Sequence, residues 1–379
     1  MKDETFRIVV AGGGSGGHVY PMLAVIEALK KKMAEMNAPL RIIRMGPRDG
    51  YDTLFTNLGA ELSPIAAGKV RRYASFQNLV DFPKLLFGFL QALVKLYMIM
   101  PDVIFSKGGT GALPVVLAAW FYRIPVAIHE SDAKPGLTNL FSARFAKKIF
   151  VSFADAAHYF NEDKVGVSGT PVREELFAAK TTKELAKDAL GFSSSHPLAL
   201  VYCGSQGSTR INEFVLGNLT ALLAETQVLH QTGIPNLAEV QKLSRAALID
   251  ESFKNRYQAL GYFDKNLPEA LTGADLVIAR AGSGTISELA AFGLPAILIP
   301  LAESANDHQR ANAYAFAKSG AAIVIEEANL LPGIFLGQVK AVLGDDALRA
   351  KMAAAASAFF IPGAAEKICQ ALIELGGNL

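Results

Sequence analysis

Residues 11–21 read AGGGSGGHVYP, with five glycines among the first seven positions. An apolar run at 6–11 precedes this stretch, and apolar residues at helical spacing follow it. Glycine lets backbone N–H groups approach a ligand closely, and a helix that begins directly afterwards adds a partial positive charge. The stretch therefore predicts a strand, an anion-binding turn and a helix, which together form the building unit of doubly wound α/β sheets.

The alternation of apolar runs and amphipathic stretches continues along the chain, which predicts parallel sheets with helices on both faces. It stops in a polar segment at 166–195, where we place a hinge near Thr170, and then starts again. We therefore expect an α/β fold of two Rossmann-like, doubly wound domains that face each other across a cleft. The domains are predicted at 1–168 and 169–359, and a helix at 360–379 is expected to dock back on the first domain. The predicted strands are 6–11, 40–45, 102–105, 125–128, 148–151, 198–203, 227–230, 275–278, 296–299 and 321–325.

The composition excludes several classes of protein. The 379 residues carry a net charge of +2, which is not typical of a protein whose main partner is nucleic acid. Two distant cysteines indicate neither a disulfide framework nor a metal site and fit a reducing compartment. The polar first residues do not resemble a signal peptide. The apolar stretch at 82–100 is short for a membrane span and is interrupted by polar residues, so we interpret it as a helix buried in a core.

Glycine-rich turns follow four predicted strands, two in each half of the chain. A tight βα turn explains any one of them, but four together predict that phosphate groups approach the cleft from both domains. The first turn satisfies the pattern Gly-x-Gly-x-x-Gly, yet the acidic residue expected after the next strand of a dinucleotide-binding fold is missing, and no P-loop lysine follows. A nicotinamide enzyme is therefore disfavoured. The four turns are 12–17, 108–111, 204–207 and 281–285.

A few titratable residues stand where chemistry is expected. His18 lies at the start of the first helix, whose positive end favours a neutral imidazole able to remove a proton from a hydroxyl; alternatively, His18 caps or packs the turn. Glu288 lies one turn into the helix after the fourth glycine turn, where it either binds a ribose diol or forms a capping box with Thr285. His129 and Glu130 end a predicted strand, a usual position for site residues.

No metal site is predicted, because the chain has no Asp-x-Asp, His-x-x-x-His or Cys-x-x-Cys pattern. A departing diphosphate would then be stabilised by backbone amides, helix ends and an arginine. Arg173, close to the predicted hinge, is the candidate for that arginine.

Motifs spread over nearly the whole chain resemble the MurG family of peptidoglycan-synthesising transferases. In order, they are AGGGSGGHVYPMLAV, SKGGTGALPVVLAA, IHESDAKPGLTN, GTPVREE, GSQGSTRINE, HQTG and ARAGSGTISELAAFGLPAILIPLAESANDHQRANA. The resemblance implies a GT-B fold and an inverting, metal-independent and cofactor-free reaction. In that reaction N-acetylglucosamine passes from UDP-N-acetylglucosamine to undecaprenyl-diphosphate-linked N-acetylmuramoyl-pentapeptide, so that lipid I becomes lipid II. It also implies roles in cell shape and cell division, contact with other cell-wall enzymes, and a peripheral location on the cytoplasmic face of the bacterial plasma membrane.

The resemblance also assigns roles to residues by their position in these motifs. His18 would be the general base, and Arg173 would lie against the nucleotide. Glu288 would hold the ribose, Phe263 would meet the uracil through its backbone, and Gln309 would bind sugar hydroxyls. The other donor-binding candidates are Ser15, Gly16, Gly17, Asp132, Ser205, Ser283, Gly284, Thr285, Ile286 and Ser287. The candidates for binding the acceptor diphosphate are Gly13, Gly14, Gly108, Gly109 and Thr110.

Four positions depart from the family pattern, and one of them is Ser131, which stands where the family usually has a glutamine. Asp132 stands where the family usually has an asparagine that contacts the donor sugar, and a carboxylate cannot donate as an amide does. Cys203 replaces a glycine, which we interpret as a packing change. Thr110 replaces an aromatic residue, which alters the acceptor side.

A lipid-linked acceptor requires contact with a membrane. Lys69, Arg71 and Arg72 lie beside Tyr73 and Phe76, and basic residues next to apolar ones suit an anionic membrane surface. The alternative is an ordinary solvated loop. Because no membrane span is predicted, we expect peripheral attachment.

Other functions remain open on the sequence alone. A diacylglycerol or other lipid glycosyltransferase of the same superfamily would share the donor-binding half and differ in the first domain. A UDP-N-acetylglucosamine 2-epimerase would share the architecture but have no lipid acceptor. A non-catalytic scaffold would bind nucleotide without turnover, and Asp132 is the main support for it.

Overall fold

The computed structural model describes residues 5–68, 76–109, 111–178, 181–204, 206–248, 250–263 and 265–377. The chain divides into two compact units, and each is described by itself. The first unit comprises Met1–Arg173 and Ile361–Leu379, and the second comprises Glu174–Phe360. The division at 173 falls slightly beyond the predicted boundary at 168.

The first unit is built on a parallel sheet with the strand order β3-β2-β1-β4-β5-β6-β7 among the described residues. All neighbouring strands pair in parallel, with Val9 of the central strand opposite Ile43 on one side and Ile104 on the other. The strands are β1 (Phe6–Gly13), β2 (Leu40–Gly46), β3 (Glu61–Pro64), β4 (Val103–Gly109), β5 (Val126–Glu130), β6 (Lys148–Val151) and β7 (Val165–Val167).

The first helix covers this sheet with the face that the sequence predicts. In the first helix, Met22, Val25, Ile26, Leu29 and Met33 are all buried, as their helical spacing predicts. The helices are α1 (Gly16–Glu35), α2 (Asp52–Asn57), α3 (Phe76–Ile99), α4 (Ala112–Phe121) and α5 (Leu137–Ser142).

The second unit repeats the plan with a parallel sheet in the order β10-β9-β8-β11-β12-β13 among the described residues. Its strands are β8 (Leu198–Tyr202), β9 (Gln227–Gln231), β10 (Tyr257–Leu260), β11 (Leu276–Ala279), β12 (Ala296–Leu298) and β13 (Ala322–Val324). Its helices are α6 (Glu175–Ala178), α7 (Lys183–Ala189), α8 (Thr209–Gly217), α9 (Leu219–Glu225), α10 (Leu237–Ala247), α11 (Glu251–Lys254), α12 (Leu267–Gly273), α13 (Ser283–Ala291), α14 (His308–Lys318), α15 (Pro332–Gly344) and α16 (Asp346–Phe359).

The last helix, α17 (Ala364–Gly376), belongs to the first unit. It packs on α1 and β4 and places Ile368, Cys369 and Leu372 in the core between them. Cys369 and Cys203 are both free and buried, and Cys203 packs in the core of the second unit.

Each of the ten predicted strands is present, within a few residues at each end, but three further strands were missed. These are β3, β7 and β10, which lie at the sheet edges or are only partly buried and therefore lack a long apolar run. The expectation that the alternation of strands and helices stops over the polar segment at 166–195 is wrong, because part of β7 and the whole of α6 and α7 lie within it.

The interpretation of 82–100 as a helix buried in a core is also wrong. One side of α3 packs on the protein, where Ala92 and Leu96 are buried, but the other side is exposed. Tyr97 is 67% exposed and Met98 is 76% exposed. Within the described ranges, none of the helices combines the length and the apolar character that crossing a membrane requires.

Candidate active site

The first glycine turn begins at the end of β1, and a side chain on Gly12 or Gly13 would not fit there. Gly12, Gly13 and Gly14 have positive φ angles of 138°, 142° and 87°. A Cβ on Gly13 would come within 2.7 Å of Asp49 Oδ2 and 2.8 Å of Arg44 Nη2. Only glycine fits there, and the chain then enters α1 directly.

Arg44 of β2 supports this turn, although Arg44 was not among the residues predicted for the site. Its side chain is 2% exposed, and its guanidinium lies 2.7 Å from Asp49 Oδ2 and 3.3 Å from Asp52 Oδ1. Asp49 Oδ2 also accepts a hydrogen bond from the N–H of Gly14 at 3.2 Å. Gly14, a predicted acceptor-binding residue, therefore directs its N–H at Asp49. A charged residue inside an apolar strand was the available sequence signal for Arg44.

His18 lies in the first turn of α1 and is half-buried. Its Nδ1 is 3.1 Å from the carbonyl oxygen of Gly13 and 3.4 Å from Ser15 Oγ. A carbonyl oxygen only accepts, so the proton belongs on Nδ1 and Nε2 becomes the atom that can take up a proton. Gly109 makes room for the ring, since a Cβ there would lie 2.7 Å from Nδ1.

The second glycine turn ends β4 and lies beside a buried polar network. Lys107, which is 1% exposed, directs its Nζ at His129 Nδ1, 2.6 Å away, and at Ser131 Oγ. His129 Nε2 lies 3.0 Å from the carbonyl oxygen of Gly169, to which it donates. Burial lowers the pKa of Lys107 to about 8, and burial together with the Lys107 charge lowers the pKa of His129 well below its usual value.

Glu130 holds the loop that follows β5. Its Oε1 accepts from the N–H of Asp132 at 3.0 Å, and its Oε2 accepts from the N–H of Gly136 and from Asn139 Nδ2. Burial and the nearby Asp132 carboxylate raise the pKa of Glu130. Asp132, the departure from the family pattern, is half-buried at the start of this loop.

The fourth glycine turn begins α13 without a side-chain cap. Gly282 is the N-cap residue, so Thr285 lies inside the helix and the capping-box interpretation is wrong. Ser287 Oγ donates to the carbonyl oxygen of Ser283 at 2.8 Å. Ile286 is fully buried, and its N–H donates to the carbonyl oxygen of Gly282 at 3.0 Å, so neither its side chain nor its N–H is available to bind a sugar donor.

Glu288 instead pairs with Tyr202 at the end of β8. The Tyr202 hydroxyl donates to Glu288 Oε2 at 2.9 Å, and the Tyr202 ring lies 6.1 Å from the ring of Phe263. Phe263 is 2% exposed. Three residues from distant parts of the sequence therefore meet at the carboxyl ends of the strands, the edge where ligands bind in such sheets.

Gln309 and Arg173, two further residues predicted to bind the sugar donor, each contact a residue of their own unit. Gln309 Oε1 accepts from the N–H of Leu301 at 3.0 Å, which fixes the side chain at the start of α14. Arg173 places its guanidinium 4.5 Å from the centre of the Tyr20 ring of α1.

Comparison with known proteins identifies the family. Residues 8–151 match the glycosyltransferase family 28 N-terminal domain, and residues 198–368 match the glycosyltransferase family 28 C-terminal domain. A Bacillus cereus protein is 40% identical over 85% of this chain and 87% of its own length. It is named UDP-N-acetylglucosamine–N-acetylmuramyl-(pentapeptide) pyrophosphoryl-undecaprenol N-acetylglucosamine transferase 2. The chain belongs to glycosyltransferase family 28.

Solved structures agree with this assignment. The crystal structure of Acinetobacter baumannii MurG has a TM-score of 0.75 and 26% identity, and the match covers 97% of this chain and 99% of that one. A UDP-GlcNAc 2-epimerase from Neisseria meningitidis, crystallised with UDP-GlcNAc, matches with a TM-score of 0.66 over 97% of this chain and the whole of its own. At 14% identity the epimerase shows the fold alone. This family 28 glycosyltransferase has two parallel-sheet α/β units of the GT-B type.

The predicted site residues of this family 28 glycosyltransferase form two groups, one in each unit. In the first unit, Gly13 and Ser15 contact His18, whose ring lies against Gly109. In the second unit, the unpredicted Tyr202 contacts both Phe263 and Glu288. Ser205 and Thr110 lie outside the described residues, as do Lys69, Arg71, Arg72 and Tyr73. No cluster of three or more His, Cys, Asp or Glu side chains placed to hold a metal ion is present among the residues that are described.

Proposed function

We propose that this chain transfers N-acetylglucosamine from UDP-N-acetylglucosamine to undecaprenyl-diphosphate-linked N-acetylmuramoyl-pentapeptide in peptidoglycan synthesis. The observation that carries the proposal is the 40% identity, over 85% of the chain, to a transferase whose name gives both substrates. The motif residues also lie at strand ends in both units, where ligands of such sheets bind.

The donor half of the reaction is assigned to the second unit. Glu288, oriented by the Tyr202 hydroxyl, binds the ribose diol, and the backbone of Phe263 meets the uracil. The first residues of α13 supply N–H groups without an intrahelical partner, which together with the helix dipole stabilise the diphosphate. Gln309 binds sugar hydroxyls through its amide nitrogen, since its oxygen accepts from Leu301.

The catalytic step is assigned to His18. With its proton on Nδ1, facing Gly13 O, His18 uses Nε2 to remove the proton from the acceptor hydroxyl. The hydroxyl oxygen attacks the anomeric carbon of the donor as the bond to the diphosphate breaks. UDP takes the bonding electrons, and the sugar is transferred with inversion. Helix ends and backbone N–H groups stabilise the charge that develops on the leaving diphosphate.

Membrane contact is assigned to the apolar surface of the first unit. α3 exposes Phe87, Leu90 and Val94 at 57%, 51% and 61%, and the end of α4 exposes Trp120 and Phe121 at 59% and 62%. An apolar patch with aromatic residues suits the interface of a bilayer that holds a lipid-linked acceptor. We place the protein at the cytoplasmic face of the plasma membrane, attached peripherally to anionic lipids.

The proposed reaction is tested with the full chain, UDP-N-acetylglucosamine and a short-chain lipid-linked muramoyl-pentapeptide. Formation of the disaccharide and UDP in the presence of a chelator is the expected result. Transfer to diacylglycerol instead would support the other lipid glycosyltransferases. Release of the 2-epimer without acceptor would support the epimerase, and UDP binding without turnover would support a scaffold.

A further inference from the structure

Arg280 occupies a central place in the second unit that no assigned role explains. It follows β11 directly and precedes the fourth glycine turn, and its side chain is 12% exposed. Nη1 donates to the carbonyl oxygen of Ile299 at 3.1 Å, and Nη2 donates to Ser208 Oγ at 2.8 Å. Nη2 also forms an ion pair with Glu327 Oε1 at 2.5 Å.

Each of these three partners follows the carboxyl end of a different strand. Ser208 joins the third glycine turn to α8, where its hydroxyl accepts from the N–H of Ile211 as the N-cap. Ile299 follows β12 directly, and Glu327 lies shortly after β13. One guanidinium therefore connects the carboxyl ends of β8, β11, β12 and β13, which include both donor-side glycine turns.

Glu327 keeps the guanidinium in place. Its side chain is 2% exposed and forms ion pairs with two arginines, with Arg280 through Oε1 and with Arg210 through Oε2. Burial acts to raise the pKa of Glu327, but the bonds and charges of the two arginines outweigh it and lower the pKa. The carboxylate is therefore ionised at neutral pH and holds Arg280 in a fixed orientation.

We propose that Arg280 is a positioning residue that holds the two donor-side glycine turns at the spacing that receives the diphosphate of the UDP-sugar. The proposal rests on the donor assignment made above. The third turn contains Gly204 and Gly207 at φ angles of 75° and 68°, and glycine turns have large conformational freedom unless they are tied. A planar guanidinium can bond in three directions at once, whereas a lysine ammonium cannot reproduce this geometry.

The chain provides a matched control in Arg210. It pairs with the same carboxylate at 2.7 Å, but its side chain is 60% exposed. Arg210→Ala therefore removes one of the two positive charges beside Glu327 and leaves the hydrogen bonds from Arg280 to Ser208 and Ile299 in place.

The experiment measures UDP binding by calorimetry and steady-state kinetics for Arg280→Ala, Arg280→Lys, Glu327→Gln and Arg210→Ala. We expect Arg280→Ala and Arg280→Lys to weaken UDP binding about tenfold or more and to raise the KM for the donor by a similar factor. Small displacements of positioned groups can lower the reaction rate of an enzyme by up to about a hundredfold. The KM for the acceptor should stay within about twofold. Glu327→Gln should give an intermediate loss, and Arg210→Ala should match the wild type.

Several outcomes would overturn the proposal. Arg280→Lys with wild-type UDP affinity would do so, as would equal rises in the KM for donor and acceptor, because a general loss of folding affects both. If Arg280→Ala fails to fold, the UDP affinities of Arg280→Lys and Glu327→Gln test the proposal. Circular dichroism then confirms that these two variants are folded. A wild-type chain that binds no UDP would contradict the proposed function itself, whereas equal UDP binding by wild type and Arg280→Lys would contradict only the role of Arg280.

Discussion

His18 Nδ1 lies 3.1 Å from the carbonyl oxygen of Gly13, and this contact fixes which nitrogen of the ring can act as a base. The backbone that supplies the carbonyl is the glycine turn itself, in which a side chain at Gly13 would collide with Asp49 and Arg44. The turn therefore orients the imidazole as well as making room beside it.

Replacement of His18 by alanine should lower kcat by about a hundredfold or more, the usual contribution of a general base. Binding of UDP-N-acetylglucosamine should change little, because the UDP group is assigned to the second unit and His18 is assigned to the acceptor hydroxyl. Turnover of the variant and calorimetric titration with UDP give the two quantities. Ser15→Ala is the companion variant, because it removes the hydroxyl 3.4 Å from Nδ1 but keeps the imidazole, and it should lower kcat far less. Unchanged turnover in His18→Ala would show that His18 is not the base.

Glu288→Ala should abolish recognition of the ribose hydroxyls. The wild type should prefer UDP to 2′-deoxy-UDP or 3′-deoxy-UDP, because a hydrogen bond to a charged group contributes about 1.5–3 kcal/mol. The variant should bind UDP about tenfold more weakly and should no longer distinguish the nucleotides. Competition binding with the three nucleotides measures this.

Tyr202→Phe is the companion variant, because it removes only the hydroxyl that donates to Glu288 Oε2 at 2.9 Å. We expect a loss of about threefold in UDP affinity with the preference for the ribose hydroxyls retained. A Glu288→Ala protein that still prefers UDP to its deoxy forms would show that the carboxylate does not contact the ribose.

The sequence predicts local features of this site well and long-range ones poorly. The glycine turns and the start of α1 depend on neighbouring residues, so that His18 and Gly13 could be placed beforehand. Arg280 and Glu327 are brought together only by the order of the strands in the sheet, which the local pattern does not contain. The partner of Glu288 was missed for the same reason.

Leu90→Glu should reduce binding to anionic vesicles about tenfold, because it removes an apolar contact and adds a repelled charge. Leu90 is 51% exposed on α3, whereas Leu185, at 59%, lies on α7 of the second unit. Leu185→Glu adds the same charge away from the apolar patch and should float with the vesicles as the wild type does. Flotation of Leu90→Glu equal to that of Leu185→Glu would show that this patch does not carry the attachment.

Burial of Lys107 makes the stability of the first unit depend on pH. Folding lowers its pKa from 10.5 to about 8, because burial outweighs the attraction of Glu130 and Asp132. Below pH 8 Lys107 is charged in both the folded and the unfolded chain, and the folded state bears the free-energy cost of burying that charge. Between pH 8 and pH 10.5 only the unfolded chain holds the proton, so stability rises with pH.

Relative to a Lys107→Met variant, the wild type should therefore gain about 2 kcal/mol in free energy of unfolding between pH 7 and pH 10. Urea denaturation followed by the fluorescence of Trp120, the single tryptophan, reports on the first unit. Lys148→Met, which removes an exposed lysine of β6, is the control and should show no such gain. A stability difference between wild type and Lys107→Met that stays constant over this range would mean that the buried ammonium keeps its proton, held by His129 Nδ1 at 2.6 Å.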